Sequence, residues 1–146
     1  MKVLLRCIAV VLLVALPLVA CDNTPDEDQI AQNIDAMKVA VEEKKFSDLS
    51  DYLHDSFIAN DRLYARDVNR LLQMYGRRHK NLGATIISSK TTMDPTYPDR
   101  AESILSVVLT GSSGGLPSDG SVRTVTLEWV KQSGDWLVRK ASWEHY

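Results

Sequence analysis

The sequence predicts an α+β domain, with helices in its first half and an antiparallel sheet in its second. Apolar residues recur at three- and four-residue steps up to about Lys80, and after Gly83 the repeat shortens to two. Turn-forming Pro, Gly, Asn, Asp and Ser residues then cut the second half into segments of strand length. Composition agrees. The 146 residues, 45% apolar and 25% charged, suit one soluble domain with a single core. They exclude collagen, coiled coil, multi-pass membrane protein and disordered tail.

The first helix is expected to open on a capping box, with Thr24 as N-cap, Pro25 in the first helical position and Glu27 reaching back. Ile30, Ile34, Met37 and Val41 form one apolar stripe on a helix running to about Lys45, whose end sets Glu42 and Glu43 before Lys44 and Lys45. A second, short helix starts after Ser47 as N-cap and turns Phe46, Leu49 and Leu53 inward. Residues 57–64, with Asn60 and Asp61 at the centre, read as a tight turn or hairpin. The third helix, residues 66–80, repeats Val68, Leu71, Leu72, Tyr75 and His79, and Gly83 supplies a left-handed stop. Four strands follow at 84–93, 102–110, 122–131 and 135–146. They are parted by the proline-bearing stretch 94–99, by 111–120 and by a hairpin at Ser133 and Gly134. Val125, Leu127 and Trp129 share one face of the third strand; Leu137, Ala141 and Trp143 share one of the fourth, interrupted by Arg139.

The front of the chain carries a different signal. Lys2 and Arg6 precede residues 7–20, fourteen positions of which only Pro17 is not apolar, and the run stops at Asp22. This is the charged and hydrophobic make-up of a secretory signal. As a helix the run would rise about 21 Å, short of the roughly 30 Å of a bilayer core. Leu18, Val19, Ala20 and Cys21 resemble the lipobox of bacterial lipoproteins, which implies cleavage before Cys21 and acylation of its thiol with palmitate-type chains. Asp22 and Asn23 resemble an inner-membrane retention signal, so a periplasm-facing inner-membrane location in the cell envelope is expected over the outer membrane. Cys7 would leave with the signal and Cys21 would carry lipid, leaving no thiol for a disulfide or a nucleophile. The chain thus divides into a signal peptide at 1–20, a lipidated cysteine with short tether and helix cap at 21–27, and a domain at 28–146. Without the signal it has 15 basic and 19 acidic residues, a net charge of −4 that disfavours nucleic acid as a partner.

Three helices, then a meander ending in Gly134, Asp135, Trp136 and an aromatic last strand, together with SDLSDYLHDSFIANDRLYARDVNRLLQMY from Ser47 to Tyr75, resemble the nuclear transport factor 2-like superfamily of polyketide cyclases and ketosteroid isomerases. The resemblance, over residues 28–146, implies that a curved antiparallel sheet wraps three helices into a cone with a pocket. Such a fold hosts isomerases, cyclases, dehydratases and binding modules, so it does not choose a function.

Asp55, Tyr52 and His54 are the candidates for chemistry, because enzymes of that superfamily bring acids and tyrosines from this region into the cone. A pocket carboxylate of raised pKa could take a proton next to a carbonyl. Against this, Asp48, Asp51 and Asp55 stand three and four residues apart as one hydrated face, opposite Leu49 and Leu53. Glu102 and Glu128 fit outward strand positions, so no acid–base pair is expected. Tyr64, Tyr75, Trp129 and Trp143 are candidates to line a pocket for an apolar ligand, although the same spacing serves a plain core. Arg77, Arg78, His79 and Lys80 form a basic cluster that suits lipid headgroups, an acidic partner or simply a helix carboxyl end. No cofactor or metal is expected. His54, His79 and His145 are widely spaced, residues 111–115 lack the Gly-Lys-Ser or Gly-Lys-Thr of a phosphate loop, and no GxSxG elbow is present. The expected role is non-catalytic: a membrane-anchored domain that binds an envelope protein partner or a small apolar ligand near the bilayer. The alternatives are an isomerase-, cyclase- or dehydratase-type enzyme and a structural envelope lipoprotein.

Overall fold

The computed structural model describes residues 24–112 and 118–143; the signal run, Cys21, Asp22, Asn23, the middle of the 111–120 connection and His145 lie outside them. Helix α1 (Asp26–Glu42) is followed by a 3-10 segment (Asp48–Tyr52), strands β1 (Leu53–Ala59) and β2 (Leu63–Tyr64), and helix α2 (Ala65–Arg78). The meander β3 (Asn81–Met93), β4 (Arg100–Ser112), β5 (Ser118–Gln132) and β6 (Asp135–Trp143) completes the chain. The four meander strands stand where the period of two predicts them.

Three expectations are corrected. The sheet has six strands in the order β2-β1-β6-β5-β4-β3 and is mixed, because β1 pairs with β6 in parallel. Residues before α2 belong to the sheet, and the long return through β3 to β5 brings the last strand alongside the first in the same direction. The second helix is a five-residue 3-10 segment; Asp48, Ser50 and Asp51 are weak helix formers, and β1 begins directly after Tyr52. The Thr24 box is not formed. Pro25 holds the cap position without a side-chain bond, and Gln29 Nε2 donates to the Thr24 carbonyl at 2.8 Å instead.

The end of α1 organises the end of α2. Lys44 takes a left-handed backbone, φ 58°, a conformation usually left to glycine. Around it Lys45 N–H donates to the Ala40 carbonyl and Lys44 N–H to the Val41 carbonyl, the bond pair of a Schellman stop. The Lys44 ammonium then donates to the carbonyls of Gly76 and His79, at 2.8 and 2.6 Å, on the last turn of α2. Phe46 packs over Gly76, where an added Cβ would lie 2.8 Å from the ring. Gly83 is therefore not the helix stop: it pairs with Thr110 inside β3, and α2 ends at Arg78 under Lys44.

The sheet's inner face is built by β4, β5 and β6. Ala101, Ser103 and Leu105 alternate inward on β4 and face Trp129, Leu127 and Val125 across the ladder. On β6, Val138 is opposite Trp129 but Lys140 is opposite Glu128, so Arg139 is an extra residue. That bulge resets the alternation. Trp136 and Val138 before it and Ala141 after it are all buried, and Trp143 packs against the same core. Leu137, expected on that face, is on the other. Ile30 and Ile34 of α1 close the core at 0% and 5% exposure, with Phe57 and Ala59 of β1.

Both short hairpins have the expected turn chemistry. Asn60 and Asp61 have φ 47° and 56°, Ser133 and Gly134 have φ 53° and 95°, the pattern of type I′ turns. Asn60 also receives Trp143 N–H on Oδ1, and Lys140 Nζ reaches Asp61 at 2.9 Å, so the first turn is tied to β6. At the other end, Asp26 Oδ1 accepts from Lys131 Nζ at 2.5 Å and from Trp136 Nε1 at 3.1 Å, while Asn33 Nδ2 donates to the Trp136 carbonyl. The Lys131 and Trp136 hydrogen bonds hold the Asp26 carboxyl below its ordinary value of 3.8.

Two outcomes are expected. Lys44→Met removes the ammonium and keeps the strained backbone, and should lower unfolding free energy by about 1 to 3 kcal/mol. Lys44→Gly relieves the left-handed backbone and should lose less. Urea unfolding compares them: no loss in Lys44→Met would show that the ammonium contributes nothing, and equal losses in the two would show that the left-handed backbone carries no strain. Because the folded Asp26 carboxyl titrates below the unfolded one, its contribution is complete above about pH 5 and disappears as pH falls through its folded value. Asp26→Asn should thus be less stable than the wild type near neutrality and approach it in acid, as acid and urea unfolding curves can check.

Candidate functional site

The interior enclosed by the sheet and α1 is where a pocket would form, and large side chains fill it. Trp129 and Trp136 are 2% and 1% exposed, packed with Phe57, Leu105, Leu127 and Ile30. Its polar content is a short chain. Ser103, 0% exposed, accepts the Trp129 indole N–H at 2.9 Å, and its Oγ lies 2.8 Å from Thr91 Oγ1, so that one hydroxyl donates to the other. This arrangement fixes the indole and satisfies each group, which is what a stable core requires of buried polar atoms.

The residues singled out from sequence fall elsewhere. Between Leu53, opposite Val138, and Ile58, opposite Lys140, β1 spends five steps against two of β6, so it bulges at residues 54–57. Asp55 sits on this bulge, exposed, while Phe57 and Ala59 turn inward. His54 Nδ1 accepts the Ser56 N–H at 3.1 Å and lies 2.8 Å from Ser56 Oγ, a local bond that occupies the ring's nearer nitrogen. Tyr52 is half-buried and lines a shallow recess on the outside of α1 with Asp35, Val39, Glu43, Lys45 and Asp48. Asp48 and Asp51 are exposed like Asp55, but the helix ends at Tyr52, so the three do not share a helical face.

Among the aromatic candidates, Trp129 and Trp143 belong to the core, whereas Tyr64 and Tyr75 are 64% and 38% exposed on the outer surface. Tyr75 stacks against His79, ring centres 4.3 Å apart. The stripe expected along α2 is only half used. Val68 and Leu72 are partly covered and Gly76 is buried, but Leu71 is 48% exposed, because α2 touches the domain along one flank only. Arg77, Arg78 and Lys80 are exposed, and His79 lies just beyond the helix in extended conformation.

A groove at the β3–β4 turn end of the sheet is lined by the outward Glu102, Glu128 and Arg139 and also by Met93, Ala101 and Trp129 of the core side. Glu102 and Glu128 are direct cross-strand neighbours, with Arg139 Nη2 3.7 Å from Glu128. Ile87, Ile104 and Val122 are 60%, 45% and 54% exposed on β3, β4 and β5. Among the described residues no three His, Cys, Asp or Glu side chains gather as a metal site requires. Sequence reasoning missed Ser103, Thr91 and Trp136. The apolar run 104–109 hides which face of β4 is inner, and the Arg139 bulge hides the phase of β6.

No family model and no curated protein matches the chain. Solved structures do. A nuclear transport factor 2-like protein of unknown function from Pseudomonas putida is 16% identical, with 82% of this chain and 86% of that one aligned at TM-score 0.68. A scytalone dehydratase-like protein from Novosphingobium aromaticivorans is 10% identical, with 82% and 83% aligned at TM-score 0.70. A protein of cystatin-like fold from Caulobacter vibrioides is 12% identical, with 80% and 87% aligned at TM-score 0.65. The fold is therefore nuclear transport factor 2-like, a curved mixed sheet with two α-helices, and at these identities the likeness extends to the fold alone.

The buried chain on Ser103 makes a direct expectation. Ser103→Ala leaves the Trp129 N–H buried without a partner and should cost about 1 to 3 kcal/mol. In a Trp129→Phe background the same substitution should cost less, and a double-mutant cycle by urea unfolding measures the difference. Equal costs in both backgrounds would mean that the indole bond has no energetic weight.

Proposed function

We propose that this chain is an exported, lipid-anchored envelope domain that acts by binding and not by catalysis, held near the bilayer at Cys21. The observation that carries the non-catalytic part is the filled interior. Where an enzyme of this fold would need a cavity with converging ionisable groups, Trp129, Trp136, Phe57 and Leu127 belong to one cluster of buried apolar side chains. Asp55, Tyr52 and His54 stand outside that interior and apart in role: one on an exposed bulge, one on an outer recess, one bonded to Ser56. A packed interior favours a protein partner on the outer surface over a small apolar ligand inside.

The anchor rests on the run at residues 7–20 and on Leu18, Val19, Ala20 and Cys21. A tether of so few residues before α1 keeps the domain within about 20 Å of the membrane. Lipoprotein acylation with more than one chain makes such attachment effectively permanent.

One complementation assay in a strain lacking the gene tests both parts. Cys21→Ser should lose labelled palmitate and leave the processed membrane fraction, whereas Asp55→Asn, His54→Ala and Tyr52→Phe, at matched levels, should behave as wild type. Continued labelling of Cys21→Ser would remove the anchor. Loss of function in a folded, membrane-bound Asp55→Asn chain would replace the binding role by an enzymatic one.

A further inference from the structure

The outward surface of α2 combines two features that the fold leaves unused. Leu71, Met74 and Tyr75 are 48%, 43% and 38% exposed. Arg66, Arg70, Arg77 and Arg78 are exposed beside them. With about 100° between successive residues, Met74 stands on the crest nearly opposite the buried Gly76. Arg66, Arg70 and Arg77 then run along one flank, and Leu71 and Tyr75 along the other.

The charge on this element is lopsided. From Arg62 to Lys80 there are six basic residues and one acid, Asp67, in a chain whose net charge is −2. Asp67 is engaged in accepting the Tyr64 N–H at the start of the helix. The ion pairs among the described residues use Lys38, Lys45, Lys131, Arg139 and Lys140 as their cations, and no arginine of α2. On the basic flank, Ser50, Arg66, Asn69, Arg70 and Gln73 line an open recess, in which two guanidinium groups stand one helical turn apart. Guanidinium groups in such a setting pair with phosphate through two parallel hydrogen bonds.

We propose that α2 docks onto an anionic lipid surface, its arginine flank on headgroup phosphates and Met74, Leu71 and Tyr75 at the headgroup boundary. A cationic flank, a narrow apolar crest and low overall hydrophobicity are the properties of helices that lie in the membrane interface. The crest is convex. A soft headgroup layer accepts a convex ridge, whereas an acidic protein partner would need a groove shaped to it. The inference deepens the reading of a bilayer-held domain, yet the chemistry of α2 does not depend on the Cys21 anchor. With α2 docked, the last turn of α1, joined to the end of α2 through Lys44, would be brought near the bilayer.

The test uses the full chain carrying Cys7→Ser, Cys21→Ser and Met74→Cys, labelled with bimane at position 74. Its apolar amino-terminal run holds it on any vesicle, so the dye reports on α2. The emission should shift to the blue on phosphatidylcholine vesicles containing phosphatidylglycerol and not on phosphatidylcholine alone. Arg66→Glu, Arg70→Glu and Arg77→Glu together should reduce the shift at saturating lipid by roughly tenfold or more, since each basic residue near an anionic surface contributes several-fold to docking. Circular dichroism confirms that the variant is folded. Equal shifts on both vesicles, or a shift untouched by the three reversals, would overturn the proposal. So would no shift on either; a shift with polyglutamate alone would assign the helix to an acidic protein instead. Because Cys21 is absent throughout, none of these outcomes depends on lipidation.

Discussion

The architecture depends on one constraint, that β6 present apolar side chains to the same face along its whole length. Strict alternation would turn the end of the strand over, placing Ala141 and Trp143 on the outer surface. The extra residue at Arg139 prevents this, so Trp136, Val138, Ala141 and Trp143 all meet the core side. Much else follows from that phase. α1 is held by Asp26 and Asn33 to the indole and carbonyl of Trp136, and β1 lies parallel to β6 with Ala59 opposite Ala141. Arg139 itself is released to the convex surface, beside Glu128.

The parts of the fold that were legible in the sequence are those written in local chemistry. The meander strands and the Asn60–Asp61 and Ser133–Gly134 turns need only a period of two and residues that tolerate positive φ. What was hidden is relational. Nothing in Leu53 to Ala59 announces a strand, because its partner, β6, is the last element of the chain. The end of α2 was assigned to Gly83 since glycine is the usual stop, while the group that terminates it, the Lys44 ammonium, comes from a residue more than thirty positions earlier. Asp55 shows the same thing: it is exposed, as a hydrated residue should be, but the bulge in β1 exposes it and not the helical face that its spacing from Asp48 and Asp51 suggests.

The packed interior has its own logic. Each buried tryptophan has its one polar atom satisfied, Trp129 by Ser103 and Trp136 by Asp26. A bulky ring held at its tip has few alternative rotamers, so these side chains are poorly suited to swing aside for a ligand. The exterior is less uniform than the core. There the chain is unevenly charged: Asp26, Glu27 and Asp28 gather at the start of α1, and arginines gather on α2.

Lys44 links the opening of one helix to the opening of another. Its left-handed backbone closes α1, and its side chain closes α2, so fraying of either last turn removes the stop from the other. Helix ends normally open singly, at small cost, as the least protected parts of a domain. Here the two form a cooperative unit whose opening free energy is shared. Bending α2 outward would draw on the same ammonium that sits at the end of α1, while the start of α1 is fastened separately, by Asp26, to Lys131 and Trp136 of the β5–β6 hairpin.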